Sequence, residues 1–282
     1  MCYYFIEFTQ DYNLEKPLQY LSSLIEQSYL DNNTQQPYWY IKKENHFQKK
    51  DQNYFVEGSL NFGLSHGIIG VAHTLSLAYQ KKMVDENTKK DILHLMNIYN
   101  RFSVIENDCK YWPAVLPYEK YIRNETVNDN KRMSWCYGSI GISNAKYQIG
   151  KNIHDKTLVC EAIEEITLIT ELPILTYGLT SSIVCHGISS VILLLNAMYR
   201  REPRLANVKN KIKELKHVLY EQYRPDSAFG FINFEQEYIE DDKIIELKIE
   251  NNSLINGTSG IVLTLLSTCI DCNEFEKAFF II

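Results

Sequence analysis

No run of apolar residues comes near the roughly 20 that a membrane-spanning helix needs, and Met1-Cys2-Tyr3-Tyr4 lacks the basic start of a secretory signal. The sequence therefore predicts a cytoplasmic protein without a membrane span. Positive charge is short as well: 29 Lys and Arg stand against 35 Asp and Glu, a formal net charge of −6. That balance argues against a nucleic-acid partner, because proteins that hold a phosphate backbone concentrate cations. A peptide or a small molecule is the better match. A disulfide framework is also lacking, since the seven cysteines are odd in number, unevenly spaced and set in a chain far longer than bridge-stapled domains. Some of them are candidates for metal ligands. Cys269-Ile270-Asp271-Cys272 has the spacing of a redox motif but lacks the flanking strand-helix-strand pattern, and reads as structural.

What the chain does have is a large stock of apolar residues in two kinds of helical pattern. Over 282 residues it can bury a core as one big domain or two small ones. Ala206 to Tyr223 places Val208, Ile212, Leu215, Val218, Leu219 and Tyr223 mostly at steps of three and four, with lysines between them, the mark of a half-exposed outer helix. Asp91 to Phe102 and Lys156 to Thr170 read the same way. Ile68 to Tyr79, Val191 to Tyr199 and Ile261 to Thr268 are instead apolar nearly all round, which predicts inner, buried helices. His73 and His94 fall inside helical patterns and are expected in the core or at its boundary.

Four inner helices share an opening. His66-Gly67-Ile68-Ile69-Gly70, Tyr137-Gly138-Ser139-Ile140-Gly141, His186-Gly187-Ile188-Ser189-Ser190 and Asn256-Gly257-Thr258-Ser259-Gly260 form an internal repeat, with Ser190 in place of the last glycine of the third. The first glycine is expected to permit a tight turn and the second to let helix backbones approach closely. Paired outer and inner helices predict an all-α fold, an α/α toroid of concentric rings, in a single domain over residues 1–282. Between the pairs, Lys243 to Ile249 alternates in part, which predicts a short β-hairpin loop.

The residues that promise chemistry stand at these openings. Trp135-Cys136-Tyr137-Gly138 and Cys185-His186-Gly187 each place a cysteine just ahead of an inner helix, where the helix N-terminus favours a thiolate. Two cysteines and a histidine are a borderline-soft set suited to zinc, and three protein ligands leave a fourth tetrahedral position open. The alternative is that both cysteines are small buried hydrophobes. Tyr111-Trp112-Pro113 could line a peptide groove or pack on its own domain.

Taken together, Gly63-Leu64-Ser65-His66-Gly67-Ile68-Ile69-Gly70, Trp135-Cys136-Tyr137-Gly138 and Cys185-His186-Gly187 resemble, in order and rough separation, the signature of the lanthionine synthetase C-like cyclases. The resemblance runs over nearly the whole chain. It implies an α/α toroid with Zn2+ held by Cys136, Cys185 and His186, and an enzyme that adds a cysteine thiol of a dehydrated precursor peptide to dehydroalanine or dehydrobutyrine. It further implies His66 as the acid/base, Arg132 as an active-site cation and Tyr137 as an orienting group. A lanthipeptide dehydratase and an exporter follow as partners, with a place at the inner face of the membrane as the alternative to free cytoplasm. An unrelated toroid, a glycosidase or a terpene-type cyclase, is disfavoured because no catalytic carboxylate pair accompanies the Cys-His pair.

One departure from the family concerns the N-terminus. Cys2 to Glu7 resembles the tail of an inner helix whose glycine opening would lie before Met1, and the Asp that the family carries ahead of that opening has no match, since Asp11 follows the helix. The expectation is a ring incomplete at its N-terminus, with exposed inner apolar surface and either a truncated cyclase or a non-catalytic, zinc-binding scaffold.

Overall fold

The computed structural model describes residues 5–6, 12–26, 36–128, 130–203, 205–239, 243–270 and 273–281. Of residues 2–7 only Phe5 and Ile6 are among them, and Asp11 and Cys272 lie outside. The chain divides into two compact units, one of Met1–Lys131 with Tyr137–Leu168 and one of Arg132–Cys136 with Ile169–Ile282.

The first unit holds helices α1 (Glu15–Glu26), α2 (Lys49–Tyr54), α3 (Ile68–Gln80), α4 (Glu86–Arg101), α5 (Tyr118–Ile122), α6 (Ser139–Asn152) and most of α7 (Lys156–Glu171). α3 packs against α1, α4 and α6. Ile69, Ala72 and Leu75 of α3 and Ile92, Leu95 and Tyr99 of α4 are fully buried, so the apolar spacing seen in the sequence is the packing face. α4 starts where it does because the Asp85 carboxylate accepts hydrogen bonds from the Asn87 and Thr88 amides, satisfying donors that a helix start leaves unpaired. Short strands join in. β1 (Tyr40–Ile41), β2 (Ser59–Asn61) and β5 (Val115–Pro117) form an antiparallel sheet with β2 central, and β3 (Val104–Glu106) pairs with β4 (Cys109–Tyr111) as a hairpin.

Tyr111 and Trp112 are core residues. Both are buried, and the Trp112 indole donates to the Tyr99 carbonyl at 2.8 Å, so the structure supports the packing reading of the two. His73 is buried and His94 half-buried, as their place in helical patterns predicts.

α6 carries a feature that its pattern did not reveal. Its Lys146 is fully buried, with Nζ 2.5 Å from Glu165 and 3.5 Å from Glu161 on α7 and 5.7 Å from the centre of the Trp112 ring. Glu165, also buried, further accepts from Lys110 at 3.1 Å and from Ser143 at 2.8 Å. Each charge out of water thus has an opposite charge and hydrogen bonds around it, the condition under which a buried pair is tolerated. Glu165→Ala would leave Lys146 only the longer contact to half-buried Glu161 and is expected to lower stability by about 3 kcal/mol, read by urea denaturation. Adding Lys146→Met to Glu165→Ala should restore much of the loss. A single variant as stable as the parent would show that Lys146 does not depend on Glu165 for its charge balance.

The second unit holds α8 (Ile188–Arg201), α9 (Ala206–Glu221) and α10 (Thr258–Ser267), with β6 (Asn233–Ile239) and β7 (Lys243–Ile249). α8 packs against both α9 and α10. Ile188 to Met198 are all buried, and Val208, Leu215 and Leu219 of α9 face inward with them. The alternating segment predicted over Lys243 to Ile249 is β7, paired antiparallel with β6 from Asn233↔Ile249 to Ile239↔Lys243. α10 departs from its reading as a wholly buried helix: Gly260, Ile261, Thr264 and Ser267 are covered, but Val262 and Leu266 are exposed. An all-round apolar composition says that a helix can be buried on every side, not that every side has a neighbour.

Candidate metal centre

The glycine openings locate the site, though not for the reason first expected. Gly67, Gly187 and Gly257 have negative φ values of −110°, −113° and −147°, open to any residue. What excludes a side chain is space. A Cβ on Gly67 would strike the Asn61 and Gly63 carbonyls, one on Gly187 the Ser181 carbonyl, and one on Gly257 the Asn251 carbonyl, in each case the loop six residues earlier folding back on the helix start. The second glycine meets its own opening too: a Cβ on Gly70 would lie 2.5 Å from the Leu64 carbonyl, and Gly260 stands likewise against Leu254. Close approach is therefore chiefly of helix to its own leading loop, not of helix to helix. In the third repeat Ser190 takes this place, and its hydroxyl donates to the Gly187 carbonyl at 2.7 Å.

This folded-back loop presents the residue two before the glycine to its neighbour in the next repeat. The Cys136 amide donates to the Cys185 carbonyl at 3.2 Å, and the Cys185 amide donates in the same way to Ile255 at 3.1 Å. Segment 132–136 is further tied down by the Met133 amide on the Tyr177 carbonyl at 2.9 Å and by the Trp135 indole on the Phe279 carbonyl at 2.7 Å. Side chains at equivalent places are thus brought together by the backbone before any ligand is considered.

Cys136, Cys185 and His186 all lie in the second unit, and their ligand atoms are within 4.8 Å of one another. Cys136 is buried and the other two are half-buried, so the cluster is open on one side. The Cys136 thiol is lowered to about 5, chiefly by a hydrogen bond from Cys185, then by His186 and Ser134, against the opposing effect of burial. Cys185 moves the opposite way, raised by the bond it gives to Cys136, by burial and by the neighbouring negative charge. Helix N-termini were expected to favour thiolate at both cysteines. Without a cation between them only one ionises, because two thiolates in contact repel.

Arg132, exposed in the same unit, pulls the Cys185 pKa down, while Glu235 of β6 pushes it up. Glu235 accepts from Asn233 at 2.7 Å, and Asn233 accepts from Ser181 at 2.6 Å, which links the hairpin to the loop that carries Cys185. Sequence reading missed Glu235, and only its place in the alternating β6 strand could have raised it.

His66 and Tyr137 belong to the first unit, where their ring centres are 6.2 Å apart. His66 is exposed, and the Tyr137 hydroxyl accepts from Asn61 at 2.9 Å. Asn61, buried and also bonded to the Gly63 amide at 3.0 Å, is a second residue that the motifs did not single out. His66 and His186 occupy the same position of the repeat, one residue before the opening glycine. Among the described residues no helix is long and apolar enough to cross a membrane.

The chain is 26 % identical over 200 residues to the nisin biosynthesis protein NisC of Lactococcus lactis subsp. lactis, across 68 % of this chain and 46 % of the relative. Among solved structures it is similar to a nisin cyclase, with a TM-score of 0.74, 20 % identity and coverage of 99 % of this chain and 64 % of that one. The chain spans about half the length of the curated relative it matches. The structural likeness shows the fold, the α/α toroid class read from the helical pairs. With the family model of the lanthionine synthetase C-like proteins matching residues 1–279, the chain belongs to that family.

Proposed function

We propose that this chain is a lanthionine synthetase that joins a peptide cysteine to a dehydroalanine or dehydrobutyrine of the same precursor through a thioether, with zinc as its metal. The observation that carries the reading is the meeting of Cys136, Cys185 and His186, two thiols and an imidazole, with their ligand atoms within 4.8 Å. Tetrahedral zinc with Zn–S of about 2.3 Å and Zn–N of about 2.0 Å needs its ligands roughly 4 Å apart or less, a small contraction from this spacing. Sulfur and imidazole nitrogen suit zinc better than magnesium or calcium, which take oxygen.

When bound, zinc supplies the positive charge that lets a substrate thiol ionise at neutral pH, where a free thiol is mostly protonated. Cys136 and Cys185 set the charge of the centre. Two thiolates offset the metal's charge, which leaves a third sulfur nucleophilic. Attack forms the S–Cβ bond and moves the alkene electron pair onto the neighbouring carbonyl as an enolate. Arg132 is placed here as the cation that balances that enolate. The proton required at Cα is assigned to His66, and Tyr137, held by Asn61, to orienting donors; both assignments rest on their match to the family's motifs. Peptides bearing dehydrated residues imply a dehydratase as the supplier and an exporter as the receiver, proposed partners at the cytoplasmic face of the membrane.

The test is incubation of the zinc-loaded chain with a dehydrated precursor peptide, followed by thiol alkylation and mass spectrometry. Cysteines should disappear from the alkylated pool as rings close. If zinc is bound and every cysteine stays alkylatable, the chain is a metal-binding scaffold and the enzyme reading fails.

A further inference from the structure

A second concave site lies in the second unit, between α8, α9 and the residue that follows α10. It is a cleft of about 580 Å3, within the roughly 300–1,000 Å3 typical of small-molecule sites. Lys209, Lys213, Lys216 and His217 line it from one face of α9, at spacings of four, three and one that keep them on a single stripe of the helix. Tyr199 of α8 and Tyr220 of α9 supply aromatic walls.

The charge of this cleft is opposite to that of the chain, whose net charge is −6. No acidic residue is among the described residues that line it. Lys216 is turned to a neutral partner, its Nζ donating to the Thr268 hydroxyl at 2.9 Å, and Lys209 and Lys213 enter no ion pair among the described residues. His217 alone has a carboxylate, Glu221 at 3.3 Å, and that pair is exposed. An outer helix that served only solubility would intersperse both signs here, as α9 does on its other side, where Lys211 pairs with Glu214 at 2.7 Å.

We infer that this cleft binds a small molecule carrying two or more phosphoryl groups, with the lysines on the phosphates and the tyrosines against an apolar or aromatic part. The lining lysines are compact point charges, each able to contact a phosphate oxygen singly, with His217 beside them. Lys209 to Lys216 spans about 10 Å along the helix, at about 1.5 Å per residue, long enough for a chain of two or three phosphates and short for an extended acidic peptide. Concavity favours a compact ligand over a flat anionic surface.

The experiment titrates the intact chain with inorganic pyrophosphate, ATP and hexaglutamate by calorimetry at low and at physiological salt. Pyrophosphate and ATP should bind, ATP more tightly through the tyrosines, both more weakly as salt rises. Lys209→Gln/Lys213→Gln should weaken both by about tenfold or more, with an unchanged thermal melt, since charge-assisted contacts to phosphate are lost. Lys43→Gln/Lys49→Gln, exposed in the first unit, should leave binding as it was. No binding of either phosphate compound, equal weakening by the control pair, or binding of hexaglutamate in preference to ATP would overturn the inference, the last giving the cleft to an acidic peptide. All of these readouts are independent of ring closure and of zinc.

Discussion

Cys185→Ala and Cys136→Ala are each expected to weaken zinc binding by more than about 100-fold, beyond the range seen when merely an outer partner of a ligand is lost. The reason is that a site of three protein ligands has none to spare, and a centre reduced to one sulfur and one imidazole holds zinc no better than many surface pairs. Dialysis against a competing chelator followed by metal analysis separates the outcomes. Parental zinc content in both variants would remove these residues from the site. Ring closure should be lost together with the metal.

The protonation of the thiols before zinc binds adds a second readout. Cys136 is held near 5 by its hydrogen bonds, first from Cys185, so at neutral pH it is already a thiolate, while Cys185 keeps its proton. Zinc loading near pH 7.5 should therefore release close to one thiol proton, not the two that separate, ordinary thiols would yield. Calorimetry in buffers of different ionisation enthalpy counts it. Because Cys185 must lose its proton to bind, zinc affinity should fall by about tenfold per pH unit below neutral, and more steeply as pH drops through about 5, where Cys136 also takes up a proton.

His66→Ala is expected to leave zinc content intact and to slow ring closure by about 10²–10⁴-fold, the usual contribution of a positioned acid or base. Separation of the two effects is what matters. His66 is not one of the three residues whose ligand atoms converge, so its removal takes none of those donors from the metal. Counting alkylatable cysteines over time follows ring closure while metal analysis follows zinc in the same samples. Cyclisation at the parent rate with zinc retained would leave His66 as a residue that merely opens α3, as its repeat equivalent Asn256 opens α10.

Much of the helical framework is open to a reader of the sequence because its periods are long. Glu86–Arg101, Lys156–Glu171 and Ala206–Glu221 follow the amphipathic stretches that announce them: the first begins earlier, at polar first-turn residues outside the apolar pattern, the second coincides to within a residue, and the third stops just short of Tyr223. Short strands are not open in this way. β1, β2 and β5 are two or three residues each, too brief for alternation to register, and β6 becomes evident only as the partner of β7. Trp112 illustrates a further limit: an aromatic residue beside a proline in a loop can point either way, and only the Tyr99 carbonyl that its indole finds decides for the core.

By itself the sequence determined the repeat of glycine openings, the helices that follow them, the two cysteines and the histidine at equivalent places, and the family to which these motifs belong. Those are local properties, set by spacing along the chain. Tertiary structure alone decided that Cys136 and Cys185 share one thiolate, that Lys146 is buried against Glu165, that Glu235 and Asn61 stand beside the motif residues, and that the lysines of α9 line a cleft. Each of these depends on which distant segment comes within a few ångströms of another, and so on desolvation and Coulomb interactions, which act through space and leave no period in the sequence.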